Sequence, residues 1–190
     1  MRSQDQGWDA KGGPELHLGA GYADLKSDRY EEAAREFRAA LALDPKLVLR
    51  ARFPLAVALF ELQRTGEARQ EFETVRAAAG DRPDVMYYLG RLDLMEGNPA
   101  AAIKDLIQAA TDPPFPDTAY YLGSAYLKEG DLALAEKWLK TAANLNPQDA
   151  HVQERLGALY QQAGRKADAE KAFADAAQLR QRDASVSKQR

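Results

Sequence analysis

Between residues 116 and 149 the apolar positions recur at helical rather than alternating spacing. Ala119, Leu122, Ala125, Tyr126 and Leu127 follow an i, i+3, i+4 rhythm, which predicts a helix over about 117–128. Gly130 follows as a C-terminal stop, because glycine takes the left-handed conformation without a Cβ clash. Asp131 stands where it can cap a second helix over about 132–145, whose buried face reads Leu134, Ala135, Trp138, Leu139 and Ala142. Gly123 and Ala135 are expected where the two helices cross, with Leu122, Tyr126 and Leu139 filling the space beside them. Pro147 ends the second helix and disfavours helical geometry at Asn146.

The rest of the chain repeats this unit. Corresponding starts at Pro14, Leu49, Pro83, Pro116 and Ala150 are spaced by 35, 34, 33 and 34 residues. The small position of the first helix is Gly21, Ala56, Gly90, Gly123 and Gly157. An alanine early in the second helix recurs as Ala33, Ala68, Ala102, Ala135 and Ala169, and the large residue one turn later is Phe37, Phe72, Leu106, Leu139 and Phe173. Five such units in register over about 14–183 resemble the tetratricopeptide repeat, a helix–turn–helix unit of about 34 residues. The resemblance implies an all-α fold, a right-handed α-solenoid of five antiparallel helix pairs, with repeats at about 14–48, 49–82, 83–115, 116–149 and 150–183.

Several positions depart from the pattern. Asp24 and Asp28 stand where the fourth repeat has Tyr126 and Gly130. Pro54 falls inside the first helix of the second repeat, so that helix is expected to start late or bend near residues 50–54. Arg64-Thr65-Gly66 replaces the usual turn, and Pro113-Pro114-Phe115-Pro116 is the stiffest connection in the chain. Residues 1–13, with Trp8, are expected as a disordered leader or an appended remnant. Residues 184–190 are expected as a polar tail, with the alanine-rich, charge-studded stretch 167–182 serving as its own cap.

Composition narrows the function classes. Alanine supplies 36 of 190 residues, which suits closely packed helices. A net charge of −3 from 26 basic and 29 acidic residues, interspersed, gives no footprint for nucleic acid. With no cysteine, neither disulfides nor thiolate metal sites can form. The longest apolar run, 53–60, is too short to span a bilayer, so no membrane insertion is expected. No targeting segment is recognised, which leaves the cytoplasm and the periplasm both open.

No catalytic constellation emerges. Gly19-Ala20-Gly21 begins a G-x-G but lacks the preceding strand and third glycine of a dinucleotide site. Ser124 sits mid-helix without the G-x-S-x-G frame of a nucleophile elbow. His17 and His151 lie four repeats apart, and Glu31, Glu32 and Glu67 fall on outer faces. The expectation is a chain that is not an enzyme, with no cofactor and no metal.

The family resemblance implies that the first helices line a concave groove. At its lining positions lie Tyr22, Phe53, Phe60, Tyr87, Tyr88, Arg91, Tyr120, Tyr121, Ser124 and Lys128. At least one tyrosine of each doubled pair, 87/88 and 120/121, is expected to face that groove, offering area and a polar tip at low entropy cost. One subclass of the family clamps carboxyl termini with lysine and asparagine; the matching positions here hold Leu18, Tyr22, Pro54, Asp84 and Tyr88, so that activity does not carry over. The expected function is a protein–protein interaction module, an adaptor or scaffold, taking a protein or peptide partner in the aromatic groove. The alternative is an assembly module that forms a homo-oligomer through a terminal repeat, or a piece of a larger multidomain protein.

Overall fold

The computed structural model describes residues 13–113 and 115–187. The reading of Trp8 therefore lies outside the described residues. Among the described residues ten α-helices follow one another: α1 (Pro14–Lys26), α2 (Tyr30–Leu43), α3 (Phe53–Glu61), α4 (Thr65–Ala79), α5 (Pro83–Glu96), α6 (Pro99–Ala109), α7 (Thr118–Glu129), α8 (Leu132–Leu145), α9 (Ala150–Gln162) and α10 (Lys166–Ser187). No strand occurs among the described residues. The helices pair as the repeat pattern predicts, α1 with α2, α3 with α4, α7 with α8 and α9 with α10. The predicted caps form locally. Asp131 accepts the Leu134 N–H at 3.0 Å, and Gly130 closes α7 in the left-handed conformation at φ 89°.

The recurring small–large contact holds each pair together. A Cβ on Gly123 would come within 2.8 Å of Leu139 Cγ; on Gly21 it would meet the Phe37 ring, on Gly90 Leu106, and on Gly157 the Phe173 ring. The side chains of Phe37, Phe72, Leu106 and Leu139 are fully buried, and so are Ala33, Ala68, Ala102 and Ala135 beside them. Phe173 occupies the same repeat position but stays 40% exposed, since nothing among the described residues covers the outer side of its ring. Helix α10 runs on to Ser187, so residues 184–187, expected in a polar tail, are helical. Gln181, Arg182 and Ala184, good helix formers, favour the continuation.

Register is also written in the backbone. Asp28, Gln63, Gly97, Gly130 and Gly164 all take positive φ, between 57° and 89°, and follow one another at 35, 34, 33 and 34 residues. These are the intervals of the sequence repeat. Two non-glycine residues thus adopt the turn geometry that glycine supplies elsewhere, which explains how the atypical turns at Asp28 and Gln63 still reverse the chain.

Pro54 has the predicted effect. A π-helical turn, Val48–Arg52, precedes α3, and Pro54 is the second residue of that helix. A proline at 54 cannot donate to the carbonyl of Arg50, and that carbonyl instead accepts the Tyr22 hydroxyl at 2.7 Å.

The chain divides into two compact units, Met1–Val85 and Met86–Arg190. In the first, Leu18, Phe37, Leu55, Leu59 and Phe72 form the core. In the second, a continuous apolar cluster runs from Ala119 and Leu127 on α7 through Leu139 on α8 to Leu156, Leu159 and Tyr160 on α9.

Candidate functional site

In the first unit the expected groove residues are mostly engaged. Tyr22 is 46% exposed, with its hydroxyl on Arg50. Phe53 is half-buried, edge-on to Phe72 at 5.8 Å between centroids and covered by the Arg82 guanidinium at 5.7 Å. Phe60, at 2% exposure, is a core residue and not a groove residue. The apolar run of α3 faces inward, with residues 54–56 and 58–60 all buried, and Leu94 and Leu127, at the repeat position of Phe60, are buried as well.

In the second unit the two tyrosine pairs part company. Tyr87 and Tyr88 on α5 are both buried, against the expectation that one of them faces an open groove. The cause is Phe115, from the proline-rich connection: its ring lies 4.4 Å from that of Tyr87 and 5.7 Å from that of Tyr88. The connection that reads as a stiff linker thus supplies an aromatic plug. Tyr87 donates its hydroxyl to the Asp117 carboxylate at 2.9 Å and receives a hydrogen bond from Arg91 at 3.1 Å. Burial, reinforced by the nearby Asp117 carboxylate and only partly opposed by Arg91, holds the Tyr87 phenol above the ordinary tyrosine range.

Tyr120 and Tyr121 on α7 are half-buried and line an open cleft of about 400 Å³. Arginines from the two neighbouring helices hold them. Arg91 of α5 lies over Tyr121, 4.5 Å from the ring centroid, while Arg155 of α9 donates to the Tyr120 hydroxyl at 3.3 Å and sits 5.8 Å from its ring. Ser124, one turn on, forms the floor, and Lys128, one turn further, reaches the Leu94 carbonyl at 3.4 Å. Leu94 and Met95 complete the wall. Of the expected site residues, then, Arg91, Tyr120, Tyr121, Ser124 and Lys128 come together, whereas Tyr87 and Tyr88 stand behind them as packing.

Leu94, Met95 and Arg155 line the cleft without being among the expected site residues, and Arg155 is the charged one of the three. Arg155 occupies a lining position in the fifth repeat, on a helix whose His151, Gln161 and Gln162 give it a polar character. Its spacing of 35 from Tyr120 was the available signal, since it puts the two one repeat apart on facing first helices.

Among the described residues, no three of histidine, aspartate and glutamate converge in a metal-holding cluster. None of the described helices is long and apolar enough to cross a membrane.

The helical architecture is shared with solved structures. MamA of MSR-1 is 23% identical, with 90% of this chain and 98% of that chain aligned at a TM-score of 0.75. MamA of Desulfovibrio magneticus RS-1 is 20% identical over 88% of this chain and 95% of that one, with a TM-score of 0.78. PilF of Pseudomonas aeruginosa is 21% identical over 87% and 76%, with a TM-score of 0.72. At these identities the likeness is one of fold. No curated protein matches the sequence. The sequence profile of the tetratricopeptide repeat matches residues 24–91 and 93–154, in keeping with the repeat register and the paired helices, and the chain belongs to the tetratricopeptide repeat family.

Proposed function

We propose that the chain receives a segment of another protein in the cleft between α5, α7 and α9. The kind of work follows from the family: a chain of tetratricopeptide repeats is a non-catalytic protein–protein interaction module. The observation that carries the choice of surface is the pair Tyr120 and Tyr121, half-exposed and each held by an arginine from a neighbouring helix. Tyrosine and arginine already fixed by their neighbours lose little entropy when a partner arrives, and both are over-represented among residues that dominate binding energy. Affinity for an isolated segment is expected near micromolar.

The test is a peptide-array screen with the whole protein, followed by mapping of the best binder on backbone amide shifts. Perturbation should centre on α5, α7 and α9, and the joint change Tyr120→Ala and Tyr121→Ala should abolish binding with the melting transition retained. Perturbation confined to α10 or to the first compact unit would overturn the choice of surface.

A second reading, assembly through the last repeat, is favoured by one observation: the Phe173 ring is 40% exposed although it occupies a core position of the repeat. Light scattering over a concentration series would show a rising mass, and Phe173→Ser would reverse it. A constant monomer mass would dispose of this reading.

A further inference from the structure

We infer that the cleft between α5, α7 and α9 is built for an acidic side chain of the partner segment, with Ser124 as a buried donor and Arg155 and Lys128 as flanking cations. This rests on the reading that the partner docks in that cleft, and adds the chemistry it must carry there.

Charge is the first argument. Arg91, Lys128 and Arg155 all line the cleft, and no aspartate or glutamate does. In a chain of net charge −3, three cations around one small opening are a local inversion of sign. Two acids on the adjoining segments are committed elsewhere: Asp117 accepts the Tyr87 hydroxyl, and Glu154 pairs with Arg180 at 2.5 Å and His151 at 3.7 Å. Arg155 donates to a neutral phenol, and Lys128 to a backbone carbonyl at 3.4 Å. Neither contact neutralises a charge.

Ser124 is the second and independent argument. It is 4% exposed, its Oγ has no hydrogen-bond partner, and it lines the cleft. A helical serine ordinarily turns its hydroxyl back to the carbonyl four residues earlier, here that of Tyr120, and it does not do so. A buried hydroxyl left unpaired is unfavourable, so a ligand acceptor that reaches it gains a hydrogen bond at a site already stripped of solvent. Every charged side chain lining the cleft is a donor, which selects an acceptor carrying negative charge.

The cleft also says what stands next to the acid. Leu94 and Met95 form one wall, and Met95 is exposed. An acidic residue followed by an apolar one matches that wall, whereas a nucleic-acid backbone needs a basic track longer than one opening of about 400 Å³. The donors are not those of the lysine-and-asparagine clamp of the family, whose positions here hold other residues.

The experiment uses the full chain and a short N-acetylated, C-amidated peptide of repeated Glu-Leu pairs, read by fluorescence polarisation. Its Gln-Leu twin should bind about tenfold or more weakly, the difference expected when a charge-assisted hydrogen bond is lost. Arg155→Gln should cost a similar factor. Ser124→Ala should weaken the Glu-Leu peptide about threefold or more without lowering the melting temperature, since the change removes an unpaired hydroxyl and leaves a better helix former. Absence of binding by either peptide at about 1 mM overturns the inference. So does a Gln-Leu peptide with a free C-terminal carboxylate that binds as tightly as the acidic one, or an oligonucleotide that displaces it. If both twins bind equally and their amide shifts map to α7 and α9, the acidic preference falls while the docking surface stands. If the binder maps elsewhere, the surface itself falls.

Discussion

The Tyr22 hydroxyl donates to the Arg50 carbonyl at 2.7 Å, across 28 residues of sequence. That carbonyl belongs to the π-helical turn and faces a proline four residues on, so Tyr22 supplies a hydrogen bond that the residue at 54 cannot. Tyr22→Phe should lower the free energy of unfolding by about 0.5–1.5 kcal/mol, the usual net worth of one intramolecular hydrogen bond. Chemical denaturation measures it, and an unchanged midpoint would mean that water replaces the phenol at no cost.

Gly123 and Gly19 separate packing from propensity. A methyl group on Gly123 would meet Leu139 Cγ at 2.8 Å and the Leu139 backbone nitrogen at 3.0 Å, and the backbone atom cannot rotate away. Gly123→Ala should therefore destabilise by about 1–3 kcal/mol. Gly19 lies in α1 with nothing within 4 Å of such a methyl group, so Gly19→Ala should stabilise by about 0.5–1 kcal/mol. Opposite shifts in melting temperature are the expected result.

Gln63 holds φ at 59° at a repeat position where three of its four counterparts are glycine. The left-handed conformation costs an ordinary residue roughly 1–2 kcal/mol, part of which glycine returns as unfolded-state entropy. Gln63→Gly should raise stability by about 0.5–1 kcal/mol on thermal or urea unfolding. A loss of stability would show that the side chain makes contacts outweighing the strain.

Tyr87 predicts an alkaline weakness. Its phenol is held protonated above the ordinary tyrosine range, chiefly by burial, whereas the unfolded chain ionises near pH 10. Above that pH the unfolded state binds fewer protons than the folded one, so stability falls as pH rises from about 10 towards the folded-state value. Tyr87→Phe should remove this part of the alkaline slope while lowering stability at pH 7 through loss of the Asp117 hydrogen bond. Urea midpoints for both proteins at pH 7 and pH 11 measure the difference.

The repeat register was legible in the sequence because it depends on local rules. Gly123 beside Leu139 and Ala135, Gly130 ending α7 and Asp131 opening α8 are short-range consequences of residue size, chirality and capping. The late start of α3 at Phe53 was legible for the same reason, whereas the π-helical form of the turn before it was not. Which aromatic residues stay accessible was not a local matter. Tyr87 and Tyr120 hold equivalent lining positions, one repeat apart, yet Phe115 folds over the first pair of tyrosines and leaves the second open. Phe60 is covered too, as are Leu94 and Leu127 at the same repeat position. Periodicity assigns a residue to a face of its own helix; whether that face is covered depends on a side chain arriving from another segment. The sequence by itself therefore determined the helices, their pairing and their repeat. Only the tertiary structure decided that Arg91, Ser124, Lys128 and Arg155 meet around one opening, because they come from three helices whose approach is set by packing.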